Sequence, residues 1–97
     1  MEARMENFST WIDYRNDLTH KEELESLLLE AGFNILNYME HPFEPQGFTA
    51  VWLLAESHCA LHTFPEEQKT YVELTSCNIP MFVQFVQRFN AFYHGVK

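Results

Sequence analysis

Residues 54–66, LAESHCALHTFPE, place reactive side chains in a segment that otherwise has the composition of a buried strand. Glu56 directly precedes Ser57, and His62 follows five residues later. Where the backbone is strained, a serine hydroxyl can attack the preceding carbonyl carbon and convert the peptide into an ester. A base that removes the serine α-proton then expels the preceding carboxylate, and the remaining dehydroalanine hydrolyses to a pyruvoyl group and ammonia. These residue types permit such chemistry, and their spacing alone does not establish it.

A pyruvoyl group would give the chain a cofactor of its own making. Its ketone forms a Schiff base with a substrate amine and accepts electrons from a decarboxylating Cα, as pyridoxal phosphate does. The hypothesis therefore requires Ser57 as the precursor of the cofactor, with no metal and no pyridoxal phosphate.

The same residues are compatible with other kinds of site. His58 and His62 share a strand face, and Cys59 and Cys77 are further potential zinc ligands. Structural zinc sites usually contain two ligand pairs, and a second pair with the expected spacing is missing here. A serine hydrolase is disfavoured because the sequence has no GxSxG motif. The remaining alternative is that Ser57 and its neighbours are hydrogen-bonded polar groups with only a structural role, and composition leaves it open.

The run AESHCALHTFPE (55–66), followed by Cys77, closely resembles the S-adenosylmethionine decarboxylase proenzyme family, short prokaryotic class. That family carries Ser/Ala-Glu-Ser-His, then Ile-His-Thr-Trp-Pro-Glu, then Phe-Thr-Cys-Gly, at the same spacing. The upstream HPFEPQGFTA (41–50) resembles the family's His-x-Phe…Gly-Val-Thr-Gly segment. The resemblance covers about residues 24–92 and is most specific over 41–77.

The resemblance implies that residues 1–97 form a single decarboxylase-like domain that cuts itself between Glu56 and Ser57. The products would be a β chain, 1–56, and an α chain, 57–97. Ser57 would become the pyruvoyl group.

Roles for other residues follow from the resemblance, position by position. His62 would be the base of the elimination step, which suits imidazole because it titrates near neutrality. Thr49 would support processing through a hydrogen bond. Cys77 would be the acid that reprotonates the substrate carbon after CO₂ leaves.

Three further residues match a substrate-binding pattern. Phe43 and Phe64 match aromatic residues that sandwich an adenine ring, and Glu66 matches a carboxylate that binds ribose hydroxyls. Phe64 replaces the family's usual Trp and keeps a π-face. The implied reaction is decarboxylation of S-adenosylmethionine in polyamine synthesis. Arginine or ornithine decarboxylation by the same group is one alternative, and an uncleaved, non-catalytic or regulatory homologue is another.

The pattern of elements predicts an α+β, two-layer sandwich in which an antiparallel β-sheet carries both helices on one face. Thr19 and Glu22 have capping-box spacing, Gly32 can end the first helix, and Pro80 is expected at the first position of the second helix. The first ten residues are expected to be partly frayed. Strands are predicted at 8–14, 33–41, 49–56, 57–64 and 69–77, and the first helix at 19–32. The first helix carries an apolar stripe with helical spacing, formed by Leu24, Leu27, Leu28 and Ala31. In the last strand, alternation places Thr70, Val72, Leu74 and Ser76 on one face.

Strand geometry raises an objection to the proposed pairing of serine and base. Ser57 and His62 are five residues apart, so on a straight strand their side chains point to opposite sheet faces. The hypothesis therefore predicts a β-bulge or a sharp bend near residues 57–58.

Composition excludes some classes of function. The formal net charge is −8, and the six basic residues are scattered, so no phosphate-binding patch for nucleic acid is expected. No apolar run approaches the length of a membrane span, so a cytoplasmic protein with free thiols at Cys59 and Cys77 is expected. The chain is 15% aromatic, which is high for this length. That apolar surplus is compatible with the homodimer that the resemblance implies, acting on a small-molecule substrate.

Overall fold

A computed structural model describes residues 3–94 and contains one five-stranded antiparallel sheet with two helices. The strand order across the sheet is β1-β5-β4-β3-β2. This arrangement confirms the predicted α+β sandwich. The elements are β1 (Glu6–Asp13), α1 (Asp17–Glu30), β2 (Ile35–Pro42), β3 (Phe48–Leu54), β4 (Ser57–Phe64), a short 3₁₀ turn (Pro65–Glu67), β5 (Lys69–Ser76) and α2 (Ile79–His94).

The first strand forms an edge of the sheet, and it begins earlier than the sequence predicted. Its pairing with β5 is continuous from Glu6, opposite Ser76, to Asp13, opposite Lys69. The expectation of fraying over the first ten residues is therefore wrong from Glu6 onward, because the ladder to β5 satisfies this backbone. Residues 1 and 2, which the same expectation included, lie outside the described residues.

The first helix begins two residues before the predicted start. Asn16 is its N-cap, and the Asn16 side chain accepts a hydrogen bond from the backbone N–H of Thr19. The predicted capping box at Thr19 and Glu22 is therefore wrong, since Thr19 already lies inside the helix. The predicted stop at Gly32 is confirmed, because Gly32 has φ +99°, a conformation that suits glycine after a helix end. The predicted apolar stripe is buried: Leu24, Leu27, Leu28 and Ala31.

The N-terminus of the second helix is capped by Asn78. The Asn78 side chain accepts a hydrogen bond from the backbone N–H of Met81, so Asn78 is the N-cap and Pro80 is the second helical residue, not the first. Phe85 and Phe89 are fully buried against the sheet. They fix α2 to the same core that α1 covers.

The sheet has one covered face and one uncovered face. Thr70, Val72, Leu74 and Ser76 share one face of β5, as predicted. This is the helix-facing side, and all four side chains are buried. The opposite face, the open face, contains Val51 and Leu53 of β3 with His58, His62 and Phe64 of β4. Neither helix of residues 3–94 packs on it, and Leu53 is 51% exposed. None of the helices in the described residues could cross a membrane.

Candidate active site

The turn between β3 and β4 places unusual backbone directly before Ser57. Leu54 pairs with Ser57 across the hairpin, so Ala55 and Glu56 alone form the connection. Glu56 has φ +61°, in the left-handed region that residues other than glycine rarely adopt. Such a conformation costs about 1–3 kcal/mol and needs support from the surrounding structure. The backbone strain that the sequence analysis expected therefore lies in the residue before Ser57.

Cys77 contacts the residue that carries this strain. Its Sγ lies 3.3 Å from the carbonyl oxygen of Glu56 and 3.4 Å from Oε2 of the same residue. The hydrogen bond to the Glu56 carboxylate is the main reason that the pKa of the Cys77 thiol is raised, and burial and the negative charge of Glu56 raise it further. The thiol therefore stays protonated and can donate to the carbonyl that Ser57 would attack.

The hydroxyl of Ser57 points into the helix-facing side of the sheet. It donates a hydrogen bond to the hydroxyl oxygen of Ser76, with an oxygen–oxygen distance of 2.6 Å. Both side chains are buried, at 6% and 0% exposure. The sequence pattern predicted that Ser76 shares one face of β5 with Thr70, Val72 and Leu74, and it indicated no role for Ser76. Ser76 is opposite Ser57 in the β4–β5 register, and knowledge of this register would have indicated that the two hydroxyls are in contact.

His62 and Thr49 form a second group. They are directly opposite each other on β4 and β3, and the Thr49 hydroxyl lies 3.0 Å from Nδ1 of His62. Both also line a pocket of about 170 Å³ beneath the 43–47 loop. The three residues that the sequence suggested for substrate binding line the same pocket: Phe43, Phe64 and Glu66.

Aromatic side chains that sequence reasoning did not single out lie beside this pocket. The ring of Trp11 is 5.8 Å from that of Phe64 and 5.1 Å from that of Tyr71. Together with His62 they line a hollow of about 270 Å³ on the open face. Trp11 and His62 come from strands that are not neighbours in the sheet, so only the β1-β5-β4 order brings them close.

The two groups of predicted residues do not meet within one chain. β4 pairs without interruption with β3 and with β5 from Ser57 to His62, so the predicted bulge is wrong. An extra residue in this central strand would break the hydrogen-bond ladder on both sides. Ser57 and His62 therefore lie on opposite faces and about 17 Å apart along the strand.

The remaining reactive groups to consider are the two cysteine thiols and the potential metal ligands. Cys59 and Cys77 are free thiols, and burial raises the pKa of the Cys59 thiol. Within residues 3–94, no group of three or more His, Cys, Asp or Glu side chains is placed to hold a metal ion.

Comparisons with known proteins agree on one family. The family model described as S-adenosylmethionine decarboxylase matches residues 14–92. A protein of Parasynechococcus marenigrum, named S-adenosylmethionine decarboxylase proenzyme, is 49% identical over 47 residues, covering 48% of this chain and 37% of that protein. A protein of the same name from Carboxydothermus hydrogenoformans is 37% identical over 73 residues, covering 74% of this chain and 58% of that protein. The matched part thus spans well under two thirds of these relatives.

A solved structure supports the fold. The crystal structure of the adenosylmethionine decarboxylase from Aquifex aeolicus superimposes with a TM-score of 0.73 and 19% sequence identity. The match covers 96% of this chain and 82% of that one. At this identity the likeness establishes the shared α+β sandwich.

Proposed function

We propose, from the premise that this chain belongs to the S-adenosylmethionine decarboxylase family, that it cleaves itself and then decarboxylates S-adenosylmethionine. The observation that carries the proposal is the geometry at Glu56. Its backbone is in the left-handed region, and the Cys77 thiol lies 3.3 Å from its carbonyl oxygen. Strain raises the energy of the intact peptide, and a hydrogen-bond donor stabilises the oxyanion that forms when it is attacked.

The first step is an acyl shift at the Glu56–Ser57 peptide. The Ser57 oxygen bonds to the carbonyl carbon of Glu56, the carbon–nitrogen bond breaks, and the hydroxyl proton is transferred to the freed nitrogen. Negative charge develops on the carbonyl oxygen during this step. Cys77 is the donor already aimed at that oxygen, and its raised pKa keeps its proton available.

The second step removes the α-proton of Ser57, breaks the bond between its Cβ and Oγ, and releases Glu56 as a carboxylate. Water then hydrolyses the remaining dehydroalanine, through its imine form, and this releases ammonia and leaves the pyruvoyl ketone. His62 is the proposed base, and the regular β4 ladder keeps it away from Ser57 of its own chain. We therefore assign the base to a second copy of the chain, in a homodimer.

The open face supports this assignment. His62 lies on the same face as exposed apolar side chains, of which Met39 is 71% and Leu53 51% exposed. A contiguous apolar area on a small domain favours burial by a partner. A second copy that covers the open face would therefore contact the surface that contains His62.

In the mature enzyme the pyruvoyl group would supply an electron-accepting ketone to an amine substrate, without metal or pyridoxal phosphate. This chain's own contribution there is the Cys77 thiol. Cys77 Sγ now contacts the carbonyl and carboxylate oxygens of Glu56. When Glu56 leaves, the Cys77 thiol loses these partners and remains beside the position that Glu56 occupied. Cys77 is then the proposed donor of the proton that replaces CO₂ on the substrate.

The pocket at Phe43, Phe64 and Glu66 favours an adenosyl substrate over arginine or ornithine. Two phenyl rings suit a flat purine, and an exposed carboxylate suits ribose hydroxyls. The pocket measures about 170 Å³. Small-molecule sites usually enclose roughly 300 Å³ or more, so part of the wall must come from elsewhere, which again favours a dimer.

Intact-mass measurement of the purified protein tests the proposal. Two chains, 1–56 and 57–97, are expected, with a carbonyl-trapping amine adding mass to the second chain alone. Release of labelled CO₂ from S-adenosylmethionine, compared with arginine and ornithine, then identifies the substrate. A single uncut chain without a reactive carbonyl would contradict the proposal and leave the non-catalytic homologue.

A further inference from the structure

The hydroxyl of Ser57 is held by a second serine, Ser76. The distance of 2.6 Å between their oxygens is typical of a good O–H···O hydrogen bond. Ser76 in turn is held by Asn78, whose backbone N–H donates to the Ser76 oxygen at 2.9 Å. The Ser76 hydroxyl points back to the Asn78 carbonyl oxygen, 3.4 Å away. The Ser76 oxygen is therefore fixed by three contacts.

Asn78 is itself immobilised by α2. Its side chain caps the helix through the Met81 N–H at 3.1 Å, and its carbonyl accepts the Phe82 N–H at 2.9 Å. Phe85 and Phe89 anchor the helix in the core. The position of the Ser57 hydroxyl is thus linked, through Ser76 and Asn78, to the packed start of α2.

We propose that Ser76 is a positioning residue for the first step of self-cleavage, the attack of the Ser57 oxygen on the Glu56 carbonyl. This inference rests on the proposed function. A free serine side chain samples three staggered rotamers. By accepting a hydrogen bond from the Ser57 hydroxyl, Ser76 selects one rotamer and leaves the lone pairs of the Ser57 oxygen free for the carbonyl carbon.

A purely structural role would be different. Two buried hydroxyls can pair only to satisfy each other, and this pairing would affect stability without affecting the rate of attack. The two roles are separable because threonine and valine have nearly the same shape and only threonine has a hydroxyl. Both introduce the same extra methyl group at a site with 0% exposure.

The test compares Ser76→Thr with Ser76→Val in freshly synthesised full-length chain, followed by intact mass over time. Loss of orientation at a reacting atom can slow a reaction roughly 10²-fold, so Ser76→Val is expected to cleave slower than Ser76→Thr by about that factor. Each change is also placed in the uncleavable Ser57→Ala chain, where equal melting temperatures show that the two folds are equally stable. Ser76→Ala, which adds no bulk, replaces Ser76→Val if valine prevents folding, with the same slow cleavage expected.

A second measurement identifies the step. In His62→Ala chain the proposed function predicts accumulation of the ester, which hydroxylamine cleaves at residue 57. Adding Ser76→Thr should leave the rate at which hydroxylamine-sensitive chain accumulates nearly unchanged, and adding Ser76→Val should slow that accumulation by about 10²-fold. Equal cleavage and equal ester in the threonine and valine chains would overturn the role of Ser76. Failure of the wild-type chain to cleave at all would overturn the proposed function itself, so the two failures are distinguishable.

Discussion

Ser57 and His62 belong to the same strand, and their side chains leave it on opposite faces. The hydroxyl of Ser57 is buried on the helix-facing side, and the imidazole of His62 lies on the open face beside Thr49. The proposed nucleophile and the proposed base of one self-processing reaction are therefore separated by the sheet. Two copies of the chain must cooperate if both residues have the roles proposed for them.

Complementation between two defective chains tests this directly. When Ser57→Ala and His62→Ala chains of different tagged mass are produced together, the His62→Ala chain should be cleaved, because its partner supplies the missing imidazole. Produced alone, the His62→Ala chain should accumulate as uncut or ester-stage protein. Intact mass distinguishes these species. A His62→Ala chain that remains uncut in the mixture would refute a base from the second copy, and normal cleavage of that chain alone would remove His62 from the reaction.

Replacement of Ser57 by alanine should abolish both cleavage and decarboxylation, because no hydroxyl remains to form the ester or the ketone. The measurement is intact mass together with CO₂ release. His58→Ala is the matched control, since His58 is the next residue and is exposed on the open face. Activity that survives in Ser57→Ala would contradict the assignment, and loss of cleavage in His58→Ala as well would indicate a general disturbance of the turn.

Replacement of Cys77 by alanine should slow cleavage partially and reduce turnover more severely. Strain at Glu56 and the Ser57 hydroxyl remain in this variant, so the acyl shift can still occur. A positioned general acid contributes about 10²–10⁴-fold, and turnover per cleaved chain should fall within that range. Cleavage is followed by mass and turnover by CO₂ release. Cys59→Ala, which removes the other free thiol, is the control; unchanged turnover in Cys77→Ala would assign the acid to another residue.

The pH dependence of Cys77 should report its contact with Glu56. A carboxylate beside a thiol favours the protonated thiol, so the pKa of Cys77 is raised. Glu56→Gln in the uncleavable Ser57→Ala chain removes that charge, and the pKa should fall towards the ordinary thiol value. Alkylation by iodoacetamide should then become fast at a lower pH than in Ser57→Ala alone. Identical alkylation profiles would show that the Glu56 side chain does not control the thiol.

The sequence was most informative where a local pattern determines the structure. The alternation in β5 and the apolar stripe of α1 predicted which residues share one face of their element, because each depends only on the periodicity of that element. In the structure both faces are buried. Gly32 was predicted correctly for a similar reason, since few other residues tolerate its φ of +99°. The capping prediction failed because both Asn16 and Thr19 are suitable N-cap residues, and local propensity does not choose between them.

Residues whose roles depend on neighbouring strands were harder to predict. Ser76 became a candidate only through the register that places it opposite Ser57, and Trp11 only through the strand order. The predicted bulge followed from assuming that Ser57 and His62 meet within one chain. A sequence does not show whether a catalytic partner is supplied by the same molecule, and the continuous β4 ladder contradicts a pairing within one chain.

A charged substitution on the open face should separate the proposed dimer. Val51 lies near the centre of that face, opposite Ala60, and is four residues from the β3–β4 turn. Val51→Arg should remain folded, because the Val51 side chain is already 38% exposed. We expect it to sediment as a monomer and the wild type to sediment as a dimer. Burial of an unpaired charge at the interface opposes association. The proposed function assigns the base to the second copy, so it predicts that cleavage of Val51→Arg also stops or stalls at the ester.

Leu29→Arg provides the matched control for this last experiment. Leu29 is 56% exposed on α1, on the side of the sheet away from the open face, so an arginine there should leave both the dimer and the cleavage intact. Sedimentation velocity and intact mass on the same samples connect assembly with processing. A Val51→Arg chain that stays dimeric, or that cleaves normally as a monomer, would show that the open face does not bring His62 to the cleavage site of its partner.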